Sequence, residues 1–132
     1  SVATGISKNT KKKVLCFDGD GAITMHMGSL TTSSQQNNII HLVFNNHGHE
    51  SVGGHETSSK HIKFNELAKT IGYQNTKRCS SSGEIIKTIN SALNSKKSYF
   101  IEILCKQGHR SDISRPKEKM RILKEKFMKK LK

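Results

Sequence analysis

Two short runs of consecutive apolar residues, each stopping dead on a polar turn, constrain this chain more than anything else in it. Val14-Leu15-Cys16-Phe17 ends at Asp18-Gly19-Asp20-Gly21, and Ile39-Ile40-His41-Leu42-Val43-Phe44 ends at Asn45-Asn46. Runs of this length without polar alternation suit strands buried on both faces, the pattern of a parallel sheet. Between them, Ala22 to about Gln35 carries Ile23, Met27 and Leu30 on one helical stripe. The alternation continues downstream. Phe64, Leu67, Ala68 and Ile71 sit at i, i+3, i+4 and i+7, a helix expected to stop at Gly72. Lys77-Arg78-Cys79 is a weak strand, and Ser81-x-x-Glu84 forms a capping box ahead of Ile85, Ile86, Ile89, Ala92 and Leu93. Tyr99 to Cys105 is the last strand; after Pro116, Met120, Leu123, Phe127 and Leu131 stripe a terminal helix. Strands alternating with helices predict an α/β fold of three layers, a parallel sheet with helices on both faces. One domain over residues 1–115 and a basic helix over 116–132, packed on that domain or on a partner, account for the 132 residues.

Charge does not redirect this reading. The chain has 23 Lys+Arg against 10 Asp+Glu, a net +13, which on a small domain raises nucleic-acid binding. Yet 19 of the cations are lysines, and lysine lacks the planar fork that reads base edges. The excess is concentrated after Pro116, where eight cations face only Glu118 and Glu125. Solvated lysines on helix faces account for this better than a nucleic-acid surface. No run of 18 apolar residues spans a membrane, and no secretory leader is expected from the opening residues. Cys16, Cys79 and Cys105 are odd in number and far apart, two of them inside apolar runs. Reduced core thiols in a cytoplasmic protein are therefore expected.

In an open parallel sheet, ligands bind beyond the carboxyl ends of the strands. A helix from Ala22 to Gln35 travels about 21 Å at 1.5 Å per residue. The strand from Ile39 to Asn45 returns about 23 Å at 3.3 Å per residue. Asp20 and Asn46 should thus finish side by side. A hard carboxylate beside an amide oxygen suits Mg²⁺ or Ca²⁺ and not zinc. Gly19 and Gly21 remove side chains where backbone N–H groups must approach an anion, and the helix starting at Ala22 adds its positive end. The expected ligand is a metal-bridged diphosphate.

Gly19-Asp20-Gly21 and Asn45-Asn46, with 23 residues between Gly21 and Asn45, resemble the thiamine diphosphate signature of the 2-oxo acid decarboxylases. Asp18-Gly-Asp-Gly-Ala-Ile-Thr-Met-His-Met-Gly-Ser-Leu30, Asn45-Asn-His-Gly-His-Glu-Ser-Val-Gly-Gly54 and Arg110-Ser-Asp-Ile-Ser-Arg-Pro116 narrow it. Together they resemble the carboxy-terminal diphosphate-binding (PP-type) region of the phosphonopyruvate decarboxylase family, with the sulfopyruvate decarboxylase beta subunit as close cousin. The resemblance implies a lyase converting 3-phosphonopyruvate to phosphonoacetaldehyde and CO₂, a step towards 2-aminoethylphosphonate. It implies Asp20, Asn46 and the carbonyl of Gly48 as Mg²⁺ ligands, and Gly19, Gly21 and Ala22 against the diphosphate. It also implies a pyrimidine-binding domain or subunit carrying an activating Glu, in a homo- or hetero-oligomer. The segment that touches the cofactor rings would lie upstream of Ser1, so the domain is expected to be truncated at its N-terminus and inactive alone.

His47, His49, His55 and His61 crowd one loop. Only His47-x-His49 is tightly spaced and no Cys lies in the loop, which argues against zinc. A polar loop over the cofactor, with His47 or His49 touching substrate or moving a proton, is the expectation. His55-Glu56 stands where relatives more often have Gln-Pro, and Ile113-Ser114 where they tend to have Leu-Gly. Arg110, Arg115 and Lys117 are candidates for the substrate phosphonate or for a packing tail.

Overall fold

The computed structural model of the chain describes residues 1–108, 111–114 and 116–131. In order the elements are α1 (Val2–Lys8), β1 (Val14–Gly19), α2 (Asp20–Met25), α3 (Ser29–Ser33), β2 (Ile39–Asn45), β3 (Gly48–His49), β4 (His55–Glu56), α4 (Phe64–Ile71), β5 (Asn75–Cys79), α5 (Ser82–Asn94), β6 (Tyr99–Leu104) and α6 (Met120–Leu131). Four strands form one sheet in the order β1-β2-β6-β5, and every neighbouring pair is parallel.

Strand alternation divides the core in two. Ile39 and Val43 of β2 point to the face covered by α1 to α4, where Ile23, Leu30, Phe64, Ala68, Tyr73 and Phe100 close a buried cluster. Ile40 and Leu42 point the other way, into Cys79, Ala92, Ile101 and Ile103, with Ile85 and Ile89 of α5 packed on them. The expected three layers are therefore present. Asn38 ties the entry of β2 to the segment before β1, its amide donating to the carbonyls of Ser7, Thr10 and Lys12 at 3.1, 2.8 and 3.0 Å.

The predicted local signals hold at α4 and α5. Gly72 caps α4 with φ 115°, a left-handed conformation that glycine alone adopts cheaply. Ser81 accepts from the Glu84 backbone N–H at 3.4 Å, and the Glu84 carboxylate accepts from the Ser80 and Ser81 N–H groups at 3.0 and 3.1 Å.

Three expectations are corrected. The single helix over 22–35 is two short ones, α2 and α3, separated at His26–Gly28, and α2 begins already at Asp20. With α2 starting there, the chain does not form the polar turn at 18–21 either: Gly19 has φ −88° and ψ 160°, and the strand runs straight into the helix. Second, β1 is not buried on both faces. It lies at the edge of the sheet, and α5 covers only the strands beyond it, so Leu15 and Phe17 are exposed and Phe17 stacks on exposed Phe44 at 6.2 Å. Third, the cysteines are all free, but only Cys79 is buried; Cys16 is half-buried and Cys105 exposed. The apolar stripe of α6 stays largely open, with Met120 and Phe127 exposed, while Met128 and Leu131 face Val2 and Ile6 of α1.

Candidate active site

The parallel register brings the carboxyl ends of β1, β2 and β6 level: Gly19 sits beside Phe44, and Asn45 beside Leu104. Beyond those ends lies an open cavity of about 440 Å³ lined by Gly19, Asp20, Gly21, Ala22, Asn46, Gly48 and His49. Met25, Phe44 and Val52 form its apolar side, and Glu50, Ser51 and Cys105 complete the rim. The residues singled out from two distant stretches of sequence thus meet in one place. The break in the helix between them does not disturb this, because β1 and β2 are adjacent and parallel.

Asp20 is 2% exposed, and its Oδ2 accepts from the Thr57 hydroxyl. Thr57 in turn lies 2.7 Å from Ser59 Oγ, whose hydroxyl donates to Asn45 Oδ1 at 3.0 Å. The Asn45 amide donates to Glu102 Oε1 at 2.8 Å. Glu102 is fully buried, and its other oxygen accepts from the Asn65 backbone N–H at 3.3 Å and faces Arg78 Nε at 3.5 Å. A buried carboxylate is tolerated only with such partners. The chain Asp20–Thr57–Ser59–Asn45–Glu102 therefore locks the ends of β1, β2 and β6 to one another. Asn46 folds on itself, its Oδ1 accepting from the Gly48 N–H at 3.1 Å.

Thr57 and Ser59 went unrecognised in the sequence. They sit in a 3₁₀ segment (Ser58–His61) with its preceding residue, and no period or motif there marks them. The two candidate histidines part company. His47, at φ 58°, turns its Nδ1 to Ser59 Oγ at 2.7 Å and belongs to the buried network. His49 lines the cavity, and its ring occupies the space that a Cβ on Gly21 would need. Gly48 is similarly restricted by the Gln107 side chain. Among the described residues the loop histidines do not converge with Cys or acidic groups into a metal-type cluster. Arg110 and Arg115 lie outside the described residues; Lys117 is exposed.

The donor types fit a hard cation: the buried carboxylate of Asp20 and the amide of Asn46 line one cavity with Gly21 and Gly48, where an added Cβ would run into the His49 and Gln107 side chains. Burial, with the Asp20 and Glu50 carboxylates, raises the Cys105 thiol. Burial and neighbouring Asp18 push Cys16 up to about 11. Asp18 itself is held below the usual carboxylate range by its hydrogen bond from His41, and burial lifts Tyr73 to about 12.

The chain is similar to known proteins. Residues 1–103 match the family model described as thiamine pyrophosphate enzyme, C-terminal TPP binding domain. Phosphonopyruvate decarboxylase of Streptomyces viridochromogenes is 29% identical over 119 residues, which cover 89% of this chain and 30% of that enzyme. Sulfopyruvate decarboxylase subunit beta of Methanocaldococcus jannaschii is 35% identical over 100 residues, covering 74% of this chain and 53% of that subunit. The fold matches the thiamine diphosphate-dependent 4-hydroxybenzoylformate decarboxylase of Rhodococcus jostii at a TM-score of 0.62 and 18% identity, over 76% of this chain and 21% of that one. The chain thus spans between about a fifth and a half of the length of these proteins.

Proposed function

The chain belongs to the thiamine pyrophosphate enzymes, matching their C-terminal TPP-binding domain over residues 1–103, and on that premise we propose that it is the diphosphate- and metal-binding part of a 2-oxo acid decarboxylase. One observation carries the reading: Asp20 and Asn46, delivered by the ends of adjacent strands, open into one cavity with Gly19, Gly21, Ala22 and Gly48. Asp20 and Asn46 would hold Mg²⁺ (or Ca²⁺) through their side-chain oxygens, and Gly48 through its carbonyl. Gly19, Gly21 and Ala22 would lie against the diphosphate. Thiamine diphosphate, when bound, supplies the electron sink that decarboxylation of a 2-oxo acid requires.

The chain's own residues orient and hold. Thr57 holds one oxygen of the Asp20 carboxylate, which would leave the other for the ion. Ser59, Asn45 and Glu102 keep Thr57 in place. His49 stands in the cavity wall and is the better candidate for contact with substrate or a proton; His47 acts through Ser59. Met25, Phe44 and Val52 offer the apolar rim that a pyrimidine-binding domain or subunit, with its activating Glu, would cover.

3-Phosphonopyruvate is the favoured substrate, supported by the name of the Streptomyces relative. Sulfopyruvate is the second reading, supported by the 35% identity to the Methanocaldococcus beta subunit. That relative's description as a subunit also supports a partner chain and an oligomer. A cytoplasmic location is part of the same proposal. No helix among the described residues is long and apolar enough to cross a membrane.

Calorimetric titration of the chain with thiamine diphosphate tests the site. Binding is expected with Mg²⁺ and lost in EDTA, and Asp20→Asn should weaken it at least about 100-fold, more than an indirect support residue would. Equal affinity with and without the metal overturns the reading. Comparing CO₂ release from phosphonopyruvate and sulfopyruvate, once a pyrimidine-binding partner is added, decides the substrate.

A further inference from the structure

A second cluster of ligating side chains lies apart from that cavity. Cys16 and Asp18 alternate with outward-facing Leu15 and Phe17 along β1, so both point to the face covered by α1 to α4. The parallel register sets His41 of β2 directly beside Cys16. The thiol, one carboxylate oxygen and an imidazole nitrogen all lie within 4.8 Å of one another. Among the described residues they are the one such group of Cys, His and acidic side chains. We infer that Cys16, Asp18 and His41 form a zinc site distinct from the Asp20–Asn46 cavity.

The geometry needs little change to accept the ion. In a tetrahedral site with Zn–S about 2.3 Å and Zn–N or Zn–O about 2.0 Å, neighbouring ligand atoms stand roughly 3.3–3.6 Å apart. Cys16 Sγ is 3.6 Å from Asp18 Oδ2. His41 Nε2 is 2.7 Å from the same oxygen, so that pair must open by roughly half an ångström. Asp18, 36% exposed on an edge strand, has the freedom to do so. Its exposure also leaves a way in and a fourth position for water.

The surroundings are those of a metal-ligating histidine. A coordinating imidazole donates its other N–H to a partner that fixes ring and tautomer. His41 Nδ1 lies 3.2 Å from Tyr73 Oη, Tyr73 Oη lies 2.7 Å from Ser33 Oγ, and Ser33 donates onward to the Leu30 carbonyl at 3.2 Å. With the ion on Nε2, every proton in this relay has an acceptor. The two sites sort metals by chemistry. Thiolate, imidazole and carboxylate select zinc, whereas the oxygen-only donors of Asp20 and Asn46 select magnesium or calcium. The zinc would staple β1 to β2 one residue before Gly19-Asp20 and four before Asn45.

Cobalt(II) and zinc, added alone to the reduced, metal-free chain, test this. One equivalent of Co²⁺ should give a thiolate charge-transfer band that Zn²⁺ removes by displacement. Cys16→Ser should abolish the band and weaken zinc binding at least about 100-fold, and Tyr73→Phe should keep the band but weaken binding about tenfold. Cys105→Ser should change neither. Asp20→Asn should leave zinc affinity within about twofold, so failure here and failure of the thiamine diphosphate reading are told apart. If Cys16→Ser does not fold, X-ray absorption on the zinc complex of Cys105→Ser decides: one sulfur with nitrogen and oxygen donors supports the site, and no sulfur overturns it. A band that survives in Cys16→Ser, or vanishes in Cys105→Ser, also overturns it.

Discussion

Asp20 can be proposed as a ligand from its neighbours in sequence, but the group that would orient it cannot be read there. That group is Thr57, 37 residues away, which holds one carboxylate oxygen. Thr57→Val keeps the shape and removes the donor. A buried carboxylate left short of a partner costs about 2 kcal/mol, so urea unfolding should show that loss. Metal-dependent binding of thiamine diphosphate should weaken about tenfold, the usual effect of removing a group that orients a ligand. Unchanged affinity in Thr57→Val would mean that Asp20 does not depend on the network. His47 and His49 make the same point. They are two residues apart with equal claims in the sequence, yet one is turned into the Ser59 network and the other into the cavity.

Elements were legible where a local signal acts alone. The Ser81–Glu84 box starts α5 and Gly72 ends α4 because caps satisfy backbone groups within a few residues. Ser81→Ala should therefore destabilise the chain by about 1 kcal/mol in chemical denaturation. The N–H groups of Ser80 and Ser81 hold Glu84 below the usual carboxylate range. Its contribution is present above the ordinary value of about 4.3 and is lost as pH falls through the lower folded value. Glu84→Gln should be less stable than the parent near neutrality, and the gap should close in acid; a gap independent of pH would contradict the cap. Over 22–35, one apolar stripe fits both a single helix and the two short ones observed. Ile23 and Leu30 reach the same cluster from α2 and α3, and the stripe does not record the break at His26–Gly28.

At the scale of the molecule, the sheet decides which apolar residues form the core. Phe17 and Phe100 both sit in strand-like runs, but Phe100 is fully buried and Phe17 is 61% exposed. Phe100→Ala should cost about 3–5 kcal/mol, and Phe17→Ala under about 1 kcal/mol, as measured by thermal or urea unfolding. Comparable losses would mean that the Phe17–Phe44 face is covered in solution. On the proposed function, the chain alone with thiamine diphosphate and Mg²⁺ should release no CO₂ from 3-phosphonopyruvate, and a pyrimidine-binding partner should restore release. Turnover by the chain alone would show that the activating acid lies within it.

The amino-acid sequence by itself determined the layered parallel architecture and the arrival of Asp20 and Asn46 at the same edge of the sheet. Burial periods and strand terminators are local, and parallel neighbouring strands carry their ends to the same edge. Only the tertiary structure decided that β1 is an edge strand with one bare face, that Thr57 and Ser59 hold the acid in place, and that Cys16, Asp18 and His41 converge. Those facts depend on strand order, register and side-chain direction between residues far apart in the chain, and such pairings leave no trace in local composition.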